Sequence, residues 1–193
     1  MELLWLAPIA GLVSLAFAAV LAVYTLKQDS GSDKMREISG AIQEGASAYL
    51  NRQYRTVAVV AVIIAGVLVV ALANAFEGGY FDSGRIALGF LVGAAGSAAA
   101  GYIGMFVSTR GNARVAQAAF SGVRNALEIA FRGGAVTGLA VVGLALLGTS
   151  VFYILFGGDS HAVDLVVGYG FGASLISLFA RIGGGIYTKA ADV

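Results

Sequence analysis

"AVTGLAVVGLALLGTSVFYILF", residues 135–156, contains no charged side chain. A hydrocarbon layer of about 30 Å takes about 20 apolar residues as a helix, so this stretch has the length and character of a membrane span. Four more stretches match it: Leu3 to Leu26, Val57 to Phe76, Ile86 to Val107 and Val163 to Tyr187. The sequence therefore predicts an all-α fold, a polytopic transmembrane bundle with five spans in this chain. Composition agrees, because 59% of the 193 residues are hydrophobic and 12% charged, more apolar surface than a soluble interior can hide.

The first span could be mistaken for a secretory signal, since "AFAAVLA" offers small residues for cleavage. Its apolar run is long, however, and Glu2 stands where basic residues would be expected, so a retained span is the reading adopted. Lys and Arg resist translocation, and their placement gives an orientation. The first connection holds Lys27, Lys34, Arg36, Arg52 and Arg55, and the third holds Arg110, Arg114, Arg124 and Arg132. The second has Arg85 beside Glu77 and Asp82, and the fourth has neither Lys nor Arg. Odd connections are expected in the cytoplasm, the amino terminus outside, and the closing "YTKAADV" in the cytoplasm.

The connections carry structure of their own. From Asp33, the residues Met35, Ile38, Ile42, Ala46, Tyr49 and Leu50 recur near the helical period, so the second span should begin as a cytoplasmic amphipathic helix, with "DSGS" supplying cap and turn. "GNARVAQAAFSGVRNALEIAFRGG" reads as a basic amphipathic segment ending at a glycine pair, either an interfacial helix or an anion-binding one. Glycines at small-xxx-small spacing inside the spans, Gly89 and Gly93, Gly134 and Gly138, Gly168 and Gly172, predict close helix packing. One packed bundle needs no domain boundary, so residues 1–193 read as a single membrane domain.

Several functions are excluded or weakened. A net charge of +1 argues against nucleic acid as a partner, because neutralising phosphates takes an excess of basic residues on one surface. Cysteine is absent, which removes thiolate metal sites. His161, between Asp159 and Asp164, reads as a solvated loop residue. "GYGFG" at 168–172 lacks the strand and helix of a dinucleotide fingerprint, and no Walker spacing occurs.

Charge returns at the end of the chain, in "RIGGGIYTKAADV", residues 181–193. On a helix Arg181 and Asp192 lie about 20° apart, with Lys189 within about 80° of Arg181 and about 12 Å further along. A charge deep in a span costs about 2.5–3.5 kcal/mol and calls for a carboxylate partner or a watery cavity. None of the five spans offers such a partner at that depth. Either the partner lies on another helix or Arg181 snorkels to the interface. Lys189 and Asp192 could be an ordinary polar helix end, and Gly183, Gly184 and Gly185 a packing notch or a local break.

"FARIGGGIYTKAADV" resembles, at almost every position, the fifth-helix motif of membrane-integral pyrophosphatases, pumps that use inorganic pyrophosphate to drive protons or sodium across a membrane. "AIQEGASAYLNRQY", "FRGGAVTGLAVVGLALLG" and "GYGFGASLISLFAR" are similar to other parts of that family in the same order. The resemblance implies that the chain is the amino-terminal part of a longer ion-translocating bundle. It implies that Arg181 belongs to an ion gate paired with acidic residues on later helices, that Lys189 contacts pyrophosphate, and that Asp192 binds magnesium pyrophosphate. It also implies Mg²⁺ as cofactor and a homodimer in the lipid membrane. A single lysine and a single carboxylate make a poor cage for Mg²⁺, so residues 1–193 alone are expected to be inactive. Two other functions remain open from the residues: a non-enzymatic membrane scaffold subunit, and a secondary transporter using Arg181 for a small anion.

Overall fold

The structure, a computed structural model, describes residues 2–75, 78–157 and 160–191. After a short 3₁₀ turn, Glu2–Trp5, five α-helices follow: α1 (Leu6–Lys27), α2 (Asp33–Leu72), α3 (Tyr80–Ala119), α4 (Val123–Leu155) and α5 (Ser160–Ala191). Among the described residues there is no strand. Four helices, α1 to α4, are long and apolar enough to cross a membrane by length and composition. In α5 the apolar stretch among the described residues is Val166–Ile182, at the lower end of the length a crossing takes.

The helices outrun the expected spans. Both α2 and α3 have 40 residues, about 60 Å at 1.5 Å per residue, twice the hydrocarbon thickness. The first half of α2 is the amphipathic segment read from its periodicity. Ala46 and Leu50 on its apolar face are buried, while Ile38 and Ile42 stay exposed. Its start is built as expected: the Ser32 side chain accepts from the Met35 amide at 3.3 Å, and Gly31, at φ 80°, turns the chain under the Asp29 carboxylate (3.0 Å).

The basic segment before the fourth span needs correction. It is neither one interfacial helix nor closed by its glycine pair. Its first part completes α3, a turn at Phe120–Gly122 follows with Gly122 at φ 118°, and its second part opens α4, which runs through Gly133 and Gly134 without interruption. A turn formed at this glycine lets both helices keep their backbone hydrogen bonds. His161 is likewise not in a loop: its backbone lies in the first turn of α5.

Successive helices run up and down, and α3 is the hub, packed against α2, α4 and α5, while α1 lies along α4. Small residues, alanine above all, make up much of the inner face, and most large apolar residues face outward. The core clusters are Ala61, Ala65, Ala87 and Phe90, Ala18, Val107 and Val136, and Val57, Ala94 and Ile176. Leu12, Val13, Phe17 and Val20 of α1 and Val59, Val62, Val67 and Val70 of α2 are exposed. In water this inversion would be costly, but in lipid apolar side chains gain nothing by turning inward and small residues let backbones approach. The arrangement is that of an integral membrane bundle.

The closest approach joins α3 and α5, which run parallel. A Cβ on Gly172 would overlap the Phe90 carbonyl oxygen, one on Gly93 the Tyr169 carbonyl, and one on Gly168 would stand 2.6 Å from the Ile86 carbonyl. Gly11 of α1 and Gly143 of α4 meet reciprocally, each with a virtual Cβ 2.9 Å from the other's carbonyl oxygen. The predicted pair Gly168 and Gly172 thus falls at the α3–α5 seam together with Gly93, and Gly89 is buried on α3. The third pair is a correction: a Cβ on Gly134 or Gly138 would meet nothing, because these positions of α4 face away from its partners.

Candidate functional site on the fifth helix

Both candidate cations among the described residues lie on α5. The helix passes through Gly183, Gly184 and Gly185 without a break, and a Cβ at Gly184 or Gly185 would meet no neighbour, so within this chain the triplet is not a local break and those two glycines are not a packing notch. Lys189 is exposed near the end of the described part of α5. Asp192 lies outside the described residues.

Arg181 borders a cavity of about 420 Å³ between α3, α4 and α5, with Ser97 and Ala100 of α3, Val141 of α4, and Ser174 and Ser177 of α5 on its walls. Ser97, Ala100 and Val141 fall inside the apolar stretches of their helices, and Arg181, itself exposed, shares the cavity lining with them. The far end of the cavity is closed by Tyr169, whose hydroxyl donates to the Leu144 carbonyl at 2.9 Å and whose ring occupies the space left by Gly148. The ion pairs among the described residues join neighbours on one helix, such as Arg132 with Glu128 at 2.6 Å. None involves Arg181. Among the described residues no group of three or more His, Asp or Glu could hold a metal.

Other basic residues, read from the sequence only as topological charges, have specific partners. Arg114 of α3 donates through Nε to the Leu26 and Gln28 carbonyls, both at 3.1 Å, and through Nη2 to Leu26 at 2.8 Å. It thereby satisfies carbonyls that the end of α1 leaves without an intrahelical donor. Arg132 stacks over the Tyr24 ring, 4.1 Å from its centroid. Among the described residues Arg85 is the one Lys or Arg at the opposite end of the bundle, held 3.8 Å from Asp82 and close to the Phe81 and Phe156 rings.

Two further polar contacts escaped the sequence reading. In "NRQY", Gln53 Nε2 donates to the Phe179 carbonyl of α5 at 2.6 Å, and the Tyr54 hydroxyl donates to the Ala98 carbonyl of α3 at 3.1 Å. Adjacent residues of α2 thus grip two different helices. The available signal was two long polar side chains at the border between the amphipathic and apolar halves of α2, which periodicity alone does not interpret.

A helical bundle with many small residues inside, most large apolar residues outside, cations gathered at one end and an arginine beside a cavity between three of its helices defines an integral membrane protein. The sequence model of the inorganic H⁺ pyrophosphatase family matches residues 12–193, and the chain belongs to that family. It is similar to the K⁺-insensitive pyrophosphate-energized proton pump of Methanosarcina mazei, 61% identical over all 193 residues. The pump of the same name from Pyrobaculum aerophilum is 51% identical over 96% of the chain. A K⁺-insensitive pyrophosphate-energized proton pump 2 of Moorella thermoacetica is 46% identical over 100% of it. The chain spans 26–27% of the length of these relatives, their amino-terminal part.

Proposed function

We propose that this chain is the amino-terminal part of an ion-translocating inorganic pyrophosphatase, one membrane domain in which pyrophosphate hydrolysis at the cytoplasmic face drives proton export. The observation that carries the reading is the ladder on α5: Arg181 beside the cavity between α3, α4 and α5 and Lys189 eight residues on, exposed near the end of the described part of the helix. In this reading Lys189 meets the diphosphate oxygens as a compact point charge. Asp192, three residues further in the sequence, adds a carboxylate. The basic end is cytoplasmic and the amino terminus external, as the distribution of Lys and Arg supports, and α5 makes the fifth crossing. Family membership weighs against a scaffold or a secondary anion transporter.

Asp192 supplies only part of a site for Mg²⁺, a hard cation often held by one or two carboxylates together with substrate phosphates, and it is the residue of this chain that would contribute to holding it. When bound, the metal supplies charge neutralisation at the leaving phosphate. The protein's part is to orient the diphosphate through Lys189 and to hold Arg181 beside the cavity of α3, α4 and α5, where its pairing responds to what α5 binds. We expect the partner carboxylate of Arg181 on another helix of the full protein, the assembly to be a homodimer, and K⁺ to be unnecessary, in keeping with the names of the relatives.

The test is Mg²⁺-dependent pyrophosphate hydrolysis by membranes carrying the complete protein. Asp192→Asn and Lys189→Ala should each remove most of it, and retention of wild-type hydrolysis in both would refute the assignment. Residues 1–193 alone should release no phosphate.

A further inference from the structure

The junction between α2 and α5 is small compared with the seams of α3, yet it carries a hydrogen bond to the main chain. Gln53 Nε2 lies 2.6 Å from the Phe179 carbonyl oxygen. Within a helix that carbonyl already accepts from the amide four residues on, at Gly183. A carbonyl has two lone pairs, so Gln53 adds a second donor at the start of the glycine run. The next residue, Tyr54, reaches the Ala98 carbonyl of α3 at 3.1 Å. Its hydroxyl rests where Gly101 leaves room, 2.7 Å from a virtual Cβ there. Their acceptor residues, Ala98 and Phe179, pack onto the cluster of Val57, Ala94 and Ile176.

Neighbouring side chains of one helix therefore fix the height of α5 against α3, because each holds a main-chain atom that cannot turn away as a side chain can. Arg181 follows Phe179 by two residues, about 200° around the helix. Its side chain lines the cavity among α3, α4 and α5, while the clamp holds the same turn from the α2 side. Glycines 183 to 185 come next, and a Cβ at Gly184 or Gly185 would touch no neighbour, so those two positions add no side-chain packing between this contact and Lys189. We propose that Gln53, together with Tyr54, is a positioning pair that sets the depth of Arg181 and so the tightness of coupling between hydrolysis and ion movement. Gln53 touches neither substrate nor ion and acts through the α5 backbone.

This inference rests on the pump reading, and its test separates the two. In the full-length protein, Gln53→Leu and Gln53→Glu remove the donor with little change of size, and Tyr54→Phe removes the other contact. Two quantities are read: ions moved per pyrophosphate hydrolysed in sealed vesicles, and hydrogen–deuterium exchange of the peptide spanning residues 176–187. With one interhelical hydrogen bond lost, each Gln53 variant should lower the transport ratio and speed exchange in that peptide by about threefold. Hydrolysis should stay within about twofold of wild type, and peptides of the α1–α4 seam should exchange as before. The double variant Gln53→Leu, Tyr54→Phe should lower the ratio by about tenfold if the two contacts act together. An unchanged ratio, or faster exchange spread equally over α1 and α4, would overturn the proposal. Should the wild type hydrolyse no pyrophosphate, the pump reading fails, and the exchange measurement still decides whether the clamp exists.

Discussion

Two glycines of α5, two residues apart, should respond in opposite ways to the same substitution. At Gly172 an added methyl would overlap the Phe90 carbonyl oxygen and stand 3.0 Å from the Ala94 amide nitrogen, both backbone atoms that cannot rotate aside. Gly172→Ala must therefore push α5 off α3 by about 1 Å, and a gap of that size forfeits a quarter to a half of each dispersion contact. Phe90, fully buried between α2 and α5, makes on the order of 50 such contacts of ~0.15 kcal/mol, of which roughly half face α5, so the loss is about 1–2 kcal/mol. At Gly170 a Cβ meets nothing within 4 Å, and Gly170→Ala should be neutral or stabilise the helix by up to about 1 kcal/mol. Unfolding of the purified full-length protein in mixed micelles by SDS, followed by circular dichroism, compares the two. A Gly172→Ala midpoint at or above wild type, or equal destabilisation by both variants, would refute the packing described for α3 and α5.

Arg114→Gln should loosen the end of α1 by about 1.5–3 kcal/mol, the usual weight of hydrogen bonds from a charged donor, seen as faster amide exchange at residues 24–28 and not in α5. Ser14 donates to the Leu139 carbonyl at 2.8 Å across the α1–α4 seam, and Ser14→Ala should cost only about 0.6 kcal/mol, as is usual for such bonds in membranes. Gly143→Leu should be far worse than Gly138→Leu in the same SDS titration, because a Cβ at Gly143 meets Leu15 at 2.7 Å and Gly11 at 2.9 Å, while Gly138 has open space.

Much of this architecture was legible because membrane physics leaves a coarse imprint: uncharged runs of fixed length, cations gathered on alternate connections, a serine cap ahead of α2. The α3–α5 seam was legible too, since Gly93, Gly168 and Gly172 stand at spacings that align one face of a helix. The same spacing misled at Gly134 and Gly138, because spacing says which residues share a face and not whether another helix lies against it. Arg114 and Gln53 were hidden for a related reason. Their acceptors, the carbonyls of Leu26, Gln28 and Phe179, belong to every sequence equally, and only the fold selects which carbonyl a long side chain reaches. Continuity of α3 and α4 past the hydrocarbon limits was likewise invisible to a span-by-span reading, which stops where apolarity does. At the site, Arg181 and Lys189 stand on one helix as their spacing required. Asp192 lies outside the described residues, and its role rests on the motif.

The central claim is that α5 joins a pyrophosphate grip at its end to a charge gate about 12 Å deeper. Its most direct test is proton uptake and phosphate release measured together in inverted vesicles carrying full-length Arg181→Ala. Protons moved per pyrophosphate should fall sharply while Mg²⁺-dependent hydrolysis continues. A ratio equal to wild type would contradict the claim.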